Sequence, residues 1–225
     1  MRRRSAAFLV ALVMTLFTAG AGHGLAAVSP TGPGLHRGTP AAEIFATDNT
    51  AVITDPDDPR LKTRLIPFAR EVRRIVRSGG GVPLGSTLLD GVFWSSAGQY
   101  VTYERSRNFD VDGLDELGLR HIARLVRKEF HQKSVLTFRH LPRTSSSVDA
   151  VRVEVPGIDV RRLYQGLVAD PVVRDRLGGG SVTLDDRLIL VADVADLSLV
   201  RRFVTTLGSD WRSAGLQYGD WEFVS

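Results

Sequence analysis

Apolar and polar positions follow two different periods along this chain, and together they predict a mixed α and β protein. Over residues 60–77 and again over 113–131, apolar side chains recur every three or four positions, which is typical of amphipathic helices. Over residues 150–155, valines alternate with Arg152 and Glu154, which is the period of a β-strand. Pro67 lies inside the first helical pattern and predicts a kink or a late start, because proline donates no backbone hydrogen bond.

Strand-forming runs and turn residues predict the remaining elements. The segments "STLLDGVFWSS" and "QYVTYERSR" predict a hairpin, and "SVLTFRHL" predicts a strand. The next helical pattern should break at Asp170–Pro171, and a hairpin, a short helix and a final strand are predicted to follow. From residue 99 to residue 193 the predicted order is β-α-β-β-α-β. This order predicts an α+β, ferredoxin-like (split βαβ) antiparallel sheet with helices on one face, extended by an extra helix and strands at both ends.

The chain also contains a weak internal similarity. A helix, a run of three glycines and a strand follow one another over residues 60–94 and again over residues 160–192. We interpret the similarity as two helix ends of the same kind, with an internal duplication as the alternative.

The first 48 residues differ in composition from the rest. Residues 1–27 combine a basic "MRRR" start, a short apolar run and small residues at a cleavage site, which predicts a signal peptide; a retained membrane anchor is the alternative. Residues 28–48 begin with "VSPTGPGLHRGTPAA" and are predicted to be a flexible leader. The predicted organisation is therefore a secreted, extracellular protein with a single α+β domain over residues 49–225 and no membrane span after cleavage.

Composition and charge exclude several kinds of protein. An apolar content of 43% and a charged content of 24% are typical of a globular domain, not a disordered one. The absence of cysteine excludes disulfides and thiolate zinc sites. The formal net charge of +4 falls to about +1 when the three arginines of residues 2–4 leave with the signal peptide, so nucleic acid is not the expected partner. No cofactor is predicted, and the sequence leaves the oligomeric state open.

The segment "NFDVDGLDELG" resembles a calcium loop in part. Its oxygen-bearing side chains have suitable spacing, but the position that needs a bidentate glutamate is Leu119. These side chains are Asn108, Asp110, Asp112 and Glu116. We therefore interpret the segment as a helix entrance in which Asp112 is the cap, with a weak calcium site as the alternative.

Arginines concentrate on the polar side of the first predicted helix. The candidates for binding an anion are Arg70, Arg73, Arg74 and Arg77. Guanidinium groups suit carboxylate and phosphate partners, so an anionic protein or a cell-wall polymer is the predicted partner of this surface. A solvated helix face is the alternative.

Catalytic motifs are absent, so function is predicted mainly from the arginine surface. The expected function is a secreted, non-catalytic binding or interaction protein. The alternative is an extracellular hydrolase that cleaves a phosphodiester by acid–base chemistry. Its candidate groups are His131, His140, Glu104 and Glu129. Trp221 and Phe223 lie on one side of the last predicted strand, where they either pack in the core or form an aromatic platform for a sugar.

Overall fold

Eight antiparallel strands form a closed barrel with helices on its outer surface, as seen in a computed structural model that describes residues 41–225. The strands are β1 (Ala42–Ala46), β2 (Val82–Ser95), β3 (Tyr100–Asp112), β4 (Val135–His140), β5 (Ala150–Pro156), β6 (Gly179–Thr183), β7 (Arg187–Asp193) and β8 (Gly215–Val224). The helices are α1 (Ile66–Ser78), α2 (Glu116–Glu129), α3 (Val160–Ala169), α4 (Pro171–Leu177) and α5 (Leu197–Thr206).

The strand order around the barrel is β1-β3-β2-β6-β7-β5-β8-β4, and β4 returns to pair with β1. The predicted open ferredoxin-like sheet with helices on one face is therefore wrong. An open sheet would leave two edge strands with unpaired backbone groups. Here β2 pairs with β6 and β4 pairs with β8, so each strand has a partner on both sides.

The barrel consists of two halves with the same topology. The first half pairs its strands in the order β4-β1-β3-β2, and the second half repeats this as β8-β5-β7-β6. The glycine runs noted in the sequence lie at equivalent places: the first separates α1 from β2, and the second joins α4 to β6, whose first two residues are Gly179 and Gly180. Gly178 has a positive φ of 71° where it ends α4, a conformation that glycine adopts without strain.

The predicted β-α-β-β-α-β order began at residue 99, in the segment that forms β3, whereas in the structure this order begins at β1. The prediction assigned residues 28–48 to a flexible leader, but residues 42–46 of that range form β1, which pairs with both β3 and β4. Residues 42–46 therefore belong to the barrel and not to the leader. The predicted signal peptide and most of the leader lie outside the described residues.

Helices cover each half of the barrel from outside. In the first half, α1 contributes Val72 and α2 contributes Ile122 and Val126 to a fully buried cluster with Ile44 of β1. In the second half, α3 and α5 pack on the outward valines of β5. Each such side chain stabilises the fold by about 1.5–3 kcal/mol through burial. In each half, the outer side of the strands and the helices that cover it therefore form an apolar core.

Two predicted helix irregularities are confirmed. α1 begins at Ile66 with Pro67 in its first turn, and residues 59–62 form a separate 3-10 turn. The break at Asp170–Pro171 separates α3 from α4, and Asp170 caps α4 by accepting hydrogen bonds from the backbone N–H groups of Val172 and Val173 at 2.9 and 3.1 Å. Within residues 41–225, none of the helices is long and apolar enough to cross a membrane.

Candidate functional site

A cavity of about 790 Å³ occupies one end of the barrel interior. Its volume lies within the range of about 300–1,000 Å³ that is usual for small-molecule pockets. Much of its wall is apolar and aromatic, from side chains that point inward from five strands: Phe45, Phe93, Leu136, Val191, Trp221 and Phe223. The rings of Trp221 and Phe223 meet edge to face with centroids 5.2 Å apart. The two aromatic residues identified in the last strand are thus part of a cavity wall.

Two segments outside the strands complete the cavity wall, residues 47–53 and residues 132–134. Thr47 joins them, because its backbone N–H donates to Gln132 Oε1 at 3.1 Å. Its hydroxyl donates to the backbone oxygen of Arg105 at 2.6 Å, and Tyr103 N donates to Ile53 O at 2.7 Å. Residues 50–52 and Lys133 are exposed, so solvent reaches the cavity from this side. The segment after β1 is therefore held to the barrel at both of its ends.

Glu104 is the one acidic side chain among the described residues that line the cavity. It lies on β3 opposite Gly91 of β2, and Gly91 in turn pairs with Ser181 of β6. Burial raises the pKa of Glu104 to about 7, although a hydrogen bond with the Ser106 side chain acts in the opposite direction. The residue as a whole is only partly buried, and it lines the cavity. Within residues 41–225 it forms no ion pair with an arginine or lysine.

A layer of polar side chains fills the other end of the barrel interior, with Glu43 at its centre. Glu43 is 2% exposed, and its Oε1 lies 2.7 Å from His140 Nε2. Its Oε2 accepts hydrogen bonds from Arg152 Nε at 3.1 Å and Asn108 Nδ2 at 2.7 Å. Burial, and then the nearby charge of Glu43, raise the pKa of Asp110. This layer pairs buried charges with hydrogen-bonding partners, as a barrel interior requires.

An apolar group lies between the polar layer and the cavity. Phe138, Ala150 and Trp221 form a buried cluster against which Phe45 and Val191 pack. Along β4, Leu136 lines the cavity, Phe138 follows it inward, and His140 belongs to the polar layer. The two parts of the interior are therefore chemically distinct, and the polar layer is not part of the cavity wall.

The structure does not bring the four hydrolase candidates together. Glu104 lies in the cavity wall, whereas His140 binds Glu43 in the polar layer. Asn108, which also binds Glu43, is four residues farther along β3 than Glu104, or about 13 Å at the rise of a strand. His131 and Glu129 are exposed outside the barrel, near the end of α2. Acid–base catalysis by this set would require groups within hydrogen-bonding reach.

The predicted calcium segment is mostly strand. β3 continues through Asp112, so Asn108, Asp110 and Asp112 are spaced about 7 Å apart on one face and do not curve around an ion. Asp112 Oδ1 accepts a hydrogen bond from Ala41 N at 2.7 Å, and Glu116 pairs with Arg120 and Arg139. Among the described residues, no group of three or more histidine or acidic side chains could hold a metal ion.

The predicted helix cap of this segment is also wrong. α2 is capped by Asp115, whose Oδ1 accepts a hydrogen bond from Gly118 N at 2.7 Å. Asp112 is the last residue of β3, and Gly113 follows it with a φ of 74°. The chain therefore turns at Gly113, and the acid that follows this turn becomes the cap.

The four arginine candidates of α1 are in different environments. Arg74 Nε donates to Glu71 Oε1 at 2.9 Å, so an acid of the same helix already neutralises it. Arg70 and Arg77 are exposed. Arg73 is half-buried and donates from Nη2 to Ser86 Oγ of β2 at 3.0 Å. The four arginines therefore differ in their partners, and Arg73 is the one that is held against the barrel wall.

No family model, no curated protein and no solved structure matches this chain, and its function is therefore inferred from the cavity and the side chains around it.

Proposed function

We propose that this chain is a secreted, non-catalytic binding protein that holds a small, largely apolar molecule inside its barrel. The observation that supports this most directly is the open cavity of about 790 Å³, lined by aromatic side chains and by the carboxyl group of Glu104. Secretion is inferred from the signal-peptide pattern of residues 1–27 and stays a prediction from the sequence.

The choice of inward residues supports a binding role over a purely structural one. Protein interiors are normally packed as densely as organic crystals, because unfilled apolar space reduces stability. Here the small polar residues Ser106 and Ser181 line the cavity near Glu104, and the space between the inward side chains stays unfilled. A barrel selected only for stability would be expected to close this space.

Glu104 defines the polar group that the ligand should carry. With a pKa of about 7, its carboxyl group exists in both protonation states near neutral pH. The protonated acid donates a hydrogen bond, and the carboxylate accepts one from an amine or ammonium group. An anionic group at this position would be repelled by the carboxylate. The expected ligand is therefore an apolar molecule with a neutral or cationic polar end.

The substitution Val191→Phe is expected to block the cavity, because a phenyl ring would extend into the space that the ligand needs. The neutral probe N-phenyl-1-naphthylamine should bind the wild-type protein saturably, with enhanced fluorescence. Val191→Phe should weaken that binding at least tenfold. The matched control is Val168→Phe on α3, where the side chain is 44% exposed and the same change should leave binding unaltered. Equal binding by wild type and a folded Val191→Phe variant would contradict the proposal.

Two other predictions from the sequence, an anionic partner for α1 and a hydrolase activity, receive less support. An anionic protein or cell-wall polymer bound by α1 stays a prediction. Its support is weaker because Arg74 is already paired with Glu71 and Arg73 faces the barrel wall. The hydrolase alternative stays a prediction, and its four candidates do not share one site, since Glu104 lines the cavity and His140 contacts Glu43 in the polar layer.

A further inference from the structure

Arginines converge on the outer wall of the barrel, between α1 and the hairpin of β2 and β3. Arg73 reaches from α1 and Arg107 from β3, and both donate to the hydroxyl of Ser86 on β2. The distances from Ser86 Oγ are 3.0 Å to Arg73 Nη2, and 3.0 and 3.2 Å to Arg107 Nη2 and Nε. Two guanidinium groups thus share one neutral acceptor.

Carboxylates do not balance this positive charge. Within the described part of the chain, neither Arg73 nor Arg107 forms an ion pair, whereas the other arginines on the strands do, namely Arg105, Arg139, Arg152 and Arg187. The neighbouring Arg105 is already paired with Asp90. Burial, and then the charges of Arg73, Arg105 and Arg64, lower the pKa of the Arg107 guanidinium. The cluster therefore holds like charges together at an energetic cost.

The backbone fixes Arg107 in this arrangement. Its Nη1 donates to Arg64 O at 2.8 Å, and its Nη2 donates to Ser86 O at 3.1 Å. Arg73 uses one hydrogen bond of its fork, to Ser86 Oγ, so further N–H donors of its guanidinium stay available. Ser86, Arg73 and Arg107 are each partly accessible to solvent, so an incoming group can reach them.

We propose that Arg73, Arg107 and Ser86, with Arg64 beside them, form a binding site for a phosphate group. Two guanidinium charges without a paired carboxylate match a dianion better than a single carboxylate, which one fork can satisfy. The site lies on the outside of the barrel and is independent of the cavity. The phosphate group could come from the free anion or from a small phosphate monoester.

Inorganic phosphate is the first probe, titrated by calorimetry at low ionic strength and compared with chloride at matched ionic strength. Saturable binding of phosphate but not chloride is expected. Arg73→Gln should weaken it at least tenfold, and the fold should persist because this side chain donates only to the Ser86 hydroxyl. Arg107→Lys, which keeps the charge but loses the fork, should also weaken it.

Two controls separate this site from general charge effects and from the cavity. Arg70→Gln removes an exposed arginine of the same helix and should leave phosphate binding unchanged, as should Val191→Phe. Binding of glycerol 3-phosphate tighter than that of inorganic phosphate would identify a monoester as the source, and the reverse order would identify the free anion. Phosphate binding that Arg73→Gln and Arg70→Gln reduce equally, or that neither reduces, would overturn the proposal.

Discussion

Replacing Glu43 with alanine is expected to destabilise the protein by about 3 kcal/mol, because it would remove one of the two carboxylates that pair with the buried Arg152 and the acceptor of Asn108. Glu43 accepts hydrogen bonds from Arg152 and Asn108 and contacts His140, and Arg152 is 7% exposed. Arg152 would keep hydrogen bonds to Glu154 and Gln217, both at 3.0 Å, so part of its charge would still be compensated. Urea unfolding followed by circular dichroism measures the change in the free energy of unfolding.

The matched control is Glu71→Ala, which removes an acid from another glutamate–arginine pair. In that pair the Arg74 side chain is 65% exposed, so water solvates the arginine once its partner is lost. Little change in stability is expected. If Glu43→Ala proved as harmless as Glu71→Ala, the polar layer would not be the support of the barrel interior that its contacts indicate.

Replacing Glu104 with glutamine is expected to stabilise the protein above pH 7 and to remove a pH dependence below it. The pKa of Glu104 is about 7 in the folded protein, compared with the ordinary value of 4.5 for a solvated glutamate, so between these values the folded state holds a proton that the unfolded state has released. The stability of the wild type should therefore fall as pH rises from about 4.5 to 7 and stay lower above pH 7. The expected loss is roughly 2–3 kcal/mol.

Urea unfolding of both proteins between pH 5 and pH 8 measures this effect. The glutamine variant should lack the decrease, since an amide does not titrate, and it should exceed the wild type at pH 8. Glu129→Gln, at an exposed position on α2, is the control and should follow the wild type throughout. Parallel pH profiles for wild type and Glu104→Gln would show that the carboxyl group is not buried against an apolar wall.

Local patterns were sufficient to predict most of the individual elements. The helical period located α2, and the Asp170–Pro171 pair located the break between α3 and α4. Proline and the side-chain period act within a few residues, which is why such features can be read from sequence.

The closure of the barrel could not be predicted in the same way. It depends on β2 pairing with β6 and β4 pairing with β8, between residues far apart in the chain. It also depends on β1, a strand of five residues that follows a segment rich in proline and glycine. Glu43 is the second residue of that strand, and nothing local shows that its side chain points into a barrel.

One signal for the cavity was present in the sequence and was missed. β3 carries polar side chains on a single inward face at five alternate positions, while residues of its other face pack against helices. These positions are Thr102, Glu104, Ser106, Asn108 and Asp110. When the opposite face of a strand packs against helices, a polar face of this kind is typical of a barrel interior. Residues 99–107 were instead predicted as a hairpin strand, and the stretch from residue 108 was interpreted separately, as a cation loop or a helix entrance.

The most direct test of the central claim is to locate the bound probe by nuclear magnetic resonance. Intermolecular nuclear Overhauser effects would be measured between the ring protons of N-phenyl-1-naphthylamine and the methyl groups of the protein. Contacts are expected with the methyl groups of Leu136, Ile189 and Val191, which line the cavity. Contacts confined to exposed methyl groups, such as those of Val172 and Leu184, would place the probe on the surface and contradict a binding function for the barrel interior.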